Sequence, residues 1–136
     1  MDAASVAALL AELGYPDNTP GEVAERLGAW EEESNGTVLV AEMEGNGVGL
    51  AAWTAIPYLE RAGRWGRLVA LVVAGDIRSR GVARRLVAAA EQWARTRGCS
   101  AMELTSSRSR EVAREFYRRL GYEDRCGRSA RFAKLL

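Results

Sequence analysis

Apolar and polar positions change period along the 136 residues, and those changes mark the elements. Residues 67–74 open on Arg67 and continue as an unbroken Leu/Val/Ala run, the pattern of a strand buried on both faces. From Val82 the apolar residues recur at 82, 83, 86, 87, 90, 93 and 94, one face of a helix that Gly98 closes. Between them, residues 75–81 hold two glycines, Asp76, Arg78 and Arg80. A strand feeding a Gly-containing loop that opens a helix is an anion cradle in outline, because the first helical N–H groups lack intrahelical partners and sit at the positive end of the helix dipole. Many α/β proteins place a glycine there for packing alone, so this pattern by itself leaves a generic strand–turn–helix unit standing.

The remaining pattern fills in around this unit. Residues 2–13 are Ala/Leu-rich and predict a helix stopped by Gly14 and Pro16. Thr19-Pro20-Gly21-Glu22 is a capping box with proline at the first helical position, and Val23, Ala24, Leu27 and Trp30 follow at helical spacing. The triplet Glu31–33 reads as a solvated helix end. Residues 37–43 and 48–56 read as strands joined by a Gly45-Asn46-Gly47 turn, and 57–66 as a loop. A strand is expected over 100–105, a polar loop over 106–110, a helix over 111–120 with Val112, Ala113, Phe116 and Leu120 on its apolar face, and two short strands over 122–126 and 129–134. The order α, α, β, β, β, α, β, α, β, β is that of a mixed α/β domain.

Composition narrows the class. The apolar content of 48% and charged content of 27% are ordinary for a globular protein, and no apolar run approaches the length of a membrane helix. No basic segment followed by an apolar one opens the chain, so no secretory signal is expected and the location is read as cytoplasmic. Cys99 and Cys126 are too few for a disulfide framework, and without histidine there is no plausible zinc ligand set; no metal is expected. The net charge of +1 conceals a division: residues 1–60 hold eleven acids and one base, and residues 61–136 hold eighteen bases and seven acids. Such a chain suits an anionic ligand on one half and a cationic one on the other. Nucleic acid would also use a basic half, but no recognition helix or RNA-binding motif accompanies it.

Two motifs make the reading specific. The loop Arg78-Ser79-Arg80-Gly81-Val82-Ala83 matches Arg/Gln-x-x-Gly-x-Gly/Ala, and the helix end Phe116-Tyr117-Arg118-Arg119-Leu120-Gly121-Tyr122 follows. With Gly98-Cys99 and Glu103-Leu104-Thr105 between them, the chain resembles the GCN5-related N-acetyltransferase (GNAT) family. The likeness extends from Leu13-Gly14-Tyr15-Pro16 to Arg131-Phe132-Ala133-Lys134, and its flavour is that of small bacterial members similar to aminoglycoside 6′-acetyltransferases.

The resemblance implies a single domain over residues 1–136 with the α/β GNAT fold, a central mixed, mostly antiparallel sheet flanked by helices. It implies acetyl-CoA as acyl donor, with the pyrophosphate on the amides of Arg78, Ser79, Arg80, Gly81, Val82 and Ala83. The pantetheine arm would pair with the splayed strand at Leu71, Val72 and Val73, where a main-chain N–H polarises the thioester. Tyr117 matches the family tyrosine that protonates the CoA thiolate, and a phenol near pKa ~10 suits that task. The acceptor groove would be built from the acidic half, with Trp53, Tyr58, Glu60 and Trp65 as substrate-binding candidates, Trp30 as a further flat surface, and a primary amine of a cationic small molecule as acceptor; Trp53, inside a strand, also reads as core.

The chain departs from the family pattern in three places. The strand before the loop carries no carboxylate to act as general base; Glu103 and Glu60 are the candidates, and a water chain or an amine of already low pKa is favoured over both. Arg110 stands where relatives carry a cofactor-contacting Asn, and is read as a contact to a CoA phosphate. The family's first edge strand is missing, which leaves the 37–43 strand open to pairing with a second copy as a homodimer. These departures keep a second function class in view, a GNAT-like acyl-CoA-binding protein with no transferase activity or a divergent reaction.

Overall fold

The computed structural model describes residues 3–77, 80–106, 111–127 and 130–136. The chain divides into two compact units, Met1–Thr105 and Ser106–Leu136.

In the first unit, helix α1 (Ala3–Leu13) buries Val6 and Leu9. Helix α2 (Pro20–Glu32) starts at the capping box foreseen from the sequence: the Glu22 N–H donates to Thr19 Oγ1 at 3.2 Å, and the Thr19 N–H donates to Glu22 Oε2 at 2.9 Å. The Thr19 N–H, and the Thr19 hydroxyl that donates to the same oxygen at 3.0 Å, hold the Glu22 carboxyl below the usual carboxylate range. Strand β1 (Gly36–Met43) turns into β2 (Asn46–Pro57) through Glu44 and Gly45, with φ of 52° and 81°. Two consecutive positive φ values mark the tight turn that matches strand twist. It lies one residue earlier than the expected Gly45-Asn46-Gly47, and Asn46 already pairs with Met43.

Strand β3 (Arg64–Val73) begins three residues before the sequence suggested, because Arg64, Trp65 and Gly66 pair with Pro57, Ile56 and Ala55 and leave a shorter loop. Trp65 is therefore a strand residue. A 3-10 turn at Gly75–Ile77 follows, then helix α3 (Val82–Thr96) and strand β4 (Cys99–Leu104). The sheet order is β1-β2-β3-β4, with β1/β2 and β2/β3 antiparallel and β3/β4 parallel. Parallel neighbours need a crossover, and α3 supplies it. Among the described residues β1 and β4 are the two edge strands, and the edge at β1 is the one the 37–43 reading left open.

The sheet carries helices on both faces. One face holds a core of Val6, Leu9 and Val23 against Leu50 and Val72, with Val38, Val40 and Ala70 packed on it. On the other face α3 comes close enough that a Cβ on Gly49 would lie 2.9 Å from Leu86, and one on Gly66 would lie 3.4 Å from Ala94. Larger side chains at those strand positions would push α3 off the sheet.

In the second unit, helix α4 (Glu111–Arg119) ends with the Gly121 N–H on the Arg118 carbonyl and the Tyr122 N–H on the Tyr117 carbonyl, both 3.0 Å. Phe116, Tyr117 and Tyr122 stack edge to face at 5.2 and 5.9 Å. No residue of α4 is fully buried, and Val112, expected on its apolar face, is exposed. The strands expected over 122–126 and 129–134 do not form among the described residues; Ser129 lies outside them. Over 122–126 the Asp124 carboxylate takes the Cys126 N–H at 3.0 Å, a side-chain turn that competes with extended pairing.

Candidate active site

The site begins with a fork. Among the described residues strand β4 pairs with β3 as far as Leu68↔Leu104, while β3 runs on to Val73 paired with β2. At the point of parting, the register steps from Ala52↔Ala70 to Trp53↔Leu68, so Val69 is an extra, unpaired residue, a bulge. The bulge lets Leu68 and Ala70 face opposite sides of the sheet, where strict alternation would put them on one. It also explains why Val69, expected to be buried on both faces, is 54% exposed.

Beyond the bulge the backbone phase is fixed by the Ala74 N–H, which donates to the Val48 carbonyl at 2.8 Å. Antiparallel pairs alternate between bonded and non-bonded rungs, so residues 70 and 72 also turn their peptide groups to β2, and Leu71 turns its own toward the open fork. Among the described residues no strand pairs with Leu71 on that side, and an extended amide-bearing chain fits there as a further strand.

The fork leads into the loop. The Ile77 N–H closes the 3-10 turn on the Ala74 carbonyl at 3.1 Å, and the Gly75 N–H donates to Glu12 Oε2 at 2.9 Å. Arg78 and Ser79 lie outside the described residues; Arg80 is exposed. Gly81 is the N-cap of α3 with φ 78° and no side-chain cap bond. A residue with a Cβ adopts that conformation only at a cost. The first helical bond runs from the Arg85 N–H to the Gly81 carbonyl at 3.1 Å, so the N–H groups of Val82, Ala83 and Arg84 have no intrahelical acceptor. Three donors at a helix start, with arginine alongside, suit a phosphate group.

The other expected residues separate. Tyr58 and Glu60 share one loop, closed by the Tyr58 N–H on the Gly63 carbonyl at 3.1 Å, and both engage Arg61, which stacks on Tyr58 at 4.9 Å and lies 3.8 Å from Glu60. Trp65 sits on β3, half-buried, on the face opposite α3. Trp53 is 1% exposed, and its indole Nε1 is buried without a hydrogen-bond partner. It faces the α3 side and offers no surface to a solute, so its place is the core. Tyr117 lies on α4 in the second unit, and Arg110 lies outside the described residues.

Several features escaped the sequence reading. Arg67 and Glu103 pair across β3 and β4 at 2.6 Å, and Arg67 also reaches Thr105 Oγ1 at 3.4 Å. A groove of ≈ 380 Å³ is lined by Ala29, Trp30, Glu33, Gly36 and Thr54, so Glu33 of the acidic triplet borders a concave apolar surface. A second groove, ≈ 360 Å³, runs between β1 and the start of α3, past Arg80 and Arg85. The Glu12–Gly75 bond had one signal: an acid in the last turn of a helix, where the dipole disfavours it. Among the described residues no cluster of His, Cys, Asp or Glu could hold a metal ion, and no helix is long and apolar enough to cross a membrane.

Comparison with known proteins gives a consistent result. The model of the acetyltransferase (GNAT) family matches residues 5–122. No curated protein matches the sequence. Among solved structures, a ribosomal-protein-alanine N-acetyltransferase from Brucella melitensis biovar Abortus is 25% identical with a TM-score of 0.80, covering 98% of this chain and 94% of its own. The aminoglycoside N-acetyltransferase AAC(6′)-Iy, solved with CoA, superposes with a TM-score of 0.80 at 20% identity, covering 98% of this chain and 87% of its own. An aminoglycoside acetyltransferase from an uncultured soil metagenomic sample, solved with sisomicin, gives 0.82 at 18% identity, with coverages of 98% and 87%.

Proposed function

This chain belongs to the acetyltransferase (GNAT) family, and from that premise we propose that it moves an acetyl group from acetyl-CoA to a primary amine of a cationic small molecule. The observation that carries the reading is the β3/β4 fork opening onto the uncapped start of α3. Acetyl-CoA pairs an amide-bearing arm with a pyrophosphate, and this chain places an open strand edge beside helix-start donors in the matching order.

In this reading the pyrophosphate takes the N–H groups of Gly81, Val82 and Ala83, assisted by Arg78, Ser79 and Arg80. Arg110 takes a further CoA phosphate. The pantetheine amides lie along Leu71, Val72 and Val73, and a main-chain N–H in the fork polarises the thioester carbonyl. The amine lone pair attacks the carbonyl carbon, the C–N bond forms, and the tetrahedral intermediate collapses with loss of the C–S bond. The thiolate takes the Tyr117 phenol proton, and the surplus ammonium proton leaves through water. No carboxylate of β3 is available for that second transfer; Glu103 is engaged by Arg67, and Glu60 by Arg61.

The acceptor side is drawn from the acidic half. The Trp30–Glu33 groove, the Tyr58–Glu60 loop and Trp65 supply flat rings and carboxylates for a polyamine-like solute. The same reading treats residues 1–136 as one domain, since the family match spans both units, and assigns a cytoplasmic place consistent with two free thiols. The open β1 edge supports a homodimer, and no nucleic acid, membrane or metal partner enters the scheme.

The test is a calorimetric titration with acetyl-CoA followed by thiol release against a panel of amines. Binding with turnover on a cationic amine is the expected result. Binding without turnover on any amine replaces the enzyme by an acyl-CoA-binding protein, and absence of acetyl-CoA binding overturns the reading altogether.

A further inference from the structure

The geometry points to Glu12 as a positioning residue for the anion loop, acting from helix α1 on the backbone that leads into α3. Glu12 stands in the last turn of α1, where the negative end of the helix dipole disfavours a carboxylate. What offsets that placement is a charge-assisted bond: Oε2 accepts the Gly75 N–H at 2.9 Å across 63 positions of sequence.

Where the chain leaves the sheet, Ala74 donates to Val48 of the neighbouring β2 and Ile77 donates back to Ala74. The Glu12 bond reaches the same backbone from a helix outside the sheet. Gly75 opens the turn that delivers the chain to Gly81, so a shift at Gly75 is passed on to the donors of Val82, Ala83 and Arg84. Without Glu12, Gly49 of β2 still meets Leu86 and Val82, and β3 and α3 keep their own packing through Gly66 against Ala94. The loop joining them loses its outside anchor. Helix α1 also packs on α2, which borders the proposed acceptor groove, so the same bond ties the acceptor side to the donor loop.

This inference rests on acetyl-CoA being the ligand of the loop, and its test separates the two. Acetyl-CoA is titrated into the full-length wild type, Glu12→Ala, Glu12→Gln and Thr19→Ala, with the thermal midpoint measured for each. Glu12→Ala is expected to raise the acetyl-CoA dissociation constant roughly three- to tenfold, the effect of one lost hydrogen bond. Glu12→Gln, whose amide oxygen still accepts from Gly75, stays within about twofold. Thr19→Ala destabilises the neighbouring helix without touching Gly75 and leaves the affinity unchanged. Equal affinity in Glu12→Ala and wild type, or a loss in Thr19→Ala as large as in Glu12→Ala, overturns the positioning role. A wild type that does not bind acetyl-CoA overturns the proposed function instead.

Discussion

Arg67 and Glu103 face each other on the next-to-last rung that β3 and β4 share, with Nη1 and Oε1 2.6 Å apart, and only Leu68↔Leu104 separates them from the point where the strands part. The second guanidinium nitrogen reaches past that point to Thr105. The pair therefore ties the vertex of the fork, and the width of the opening depends on it. Both side chains are partly exposed, so solvent screening keeps the stabilisation small, under about 1 kcal/mol. Function is expected to suffer more than stability. Arg67→Met and Glu103→Gln should each raise the KM for acetyl-CoA roughly threefold or more, since small misplacements of a bound reactant are costly. The double variant should be no worse than either single one. Steady-state kinetics beside urea unfolding check this, and additive losses in KM would sink it.

Gly81→Ala isolates a backbone effect. Among the described residues, apart from its chain neighbours, nothing lies within 4 Å of where the new Cβ would sit, so crowding from them plays no part. The cost is that of holding φ 78° with a side chain, about 1–2 kcal/mol. If the helix start relaxes to avoid that cost, the donors of Val82 and Ala83 turn away from the anion. The expected result is a protein that unfolds at lower urea concentration and binds acetyl-CoA more weakly, read by titration. Unchanged affinity would remove these amides from the phosphate site.

The parts of this molecule legible in the sequence are those encoded locally. The Thr19–Glu22 box, the α3 stripe and the loop motif each depend on residues within one or two turns of one another. The fork is different: its bulge at Val69 arises from how β2 and β3 settle their register, and a Leu/Val run carries no mark of which residue is left over. Trp65 falls within the 57–66 loop expected from the sequence, yet Gly66 beside it is a strand position kept small by Met102 and Ala94. Trp53 is an acceptor candidate by residue type and core by its strand position, and packing decides for the core. The strand expected over 122–126 meets a local competitor, since Asp124 satisfies the Cys126 N–H within a turn. The family motif covers residues 78–83, whereas Glu12, which accepts from Gly75 just ahead of them, and Arg67, which pairs with Glu103 at the fork, lie outside it.

The capping box gives a pH dependence with a definite sign. Hydrogen bonds from Thr19 lower the folded-state pKa of Glu22, so the box contributes stability above the ordinary carboxyl pKa. That contribution is lost as the pH falls through the depressed folded value. Thr19→Ala should cost about 1 kcal/mol at neutral pH. Glu22→Gln should flatten the acid limb of a stability–pH curve measured by urea unfolding. A Glu22→Gln curve parallel to wild type between neutral and acid pH would show that the box carries no titrating stability.

Burial pushes the Cys99 thiol up, and Arg64, its partner across β3 and β4, partly offsets that by favouring the thiolate. Cys126 is exposed. Iodoacetamide at neutral pH should therefore modify Cys126 first, with Cys99 reacting appreciably only at more alkaline pH. Arg64→Met should slow Cys99 further. Peptide mass spectrometry over a pH series reads both rates, and faster labelling of Cys99 in the variant would contradict the assigned role of the guanidinium.

Tyr117→Phe tests the proton donor of the proposed reaction. The phenyl ring keeps its edge-to-face contacts with Phe116 and Tyr122, so α4 and its end should fold as before. Only the hydroxyl is lost, and with it a proton for the departing thiolate. General acid catalysis of this kind is worth about 10²–10⁴-fold. The expected variant binds acetyl-CoA like the wild type and turns over at least about a hundredfold more slowly. The loss should shrink when the leaving thiol is made more acidic, because a better leaving group needs less protonation. Full turnover in Tyr117→Phe, or a loss indifferent to the acidity of the leaving thiol, would take Tyr117 out of the proton transfer.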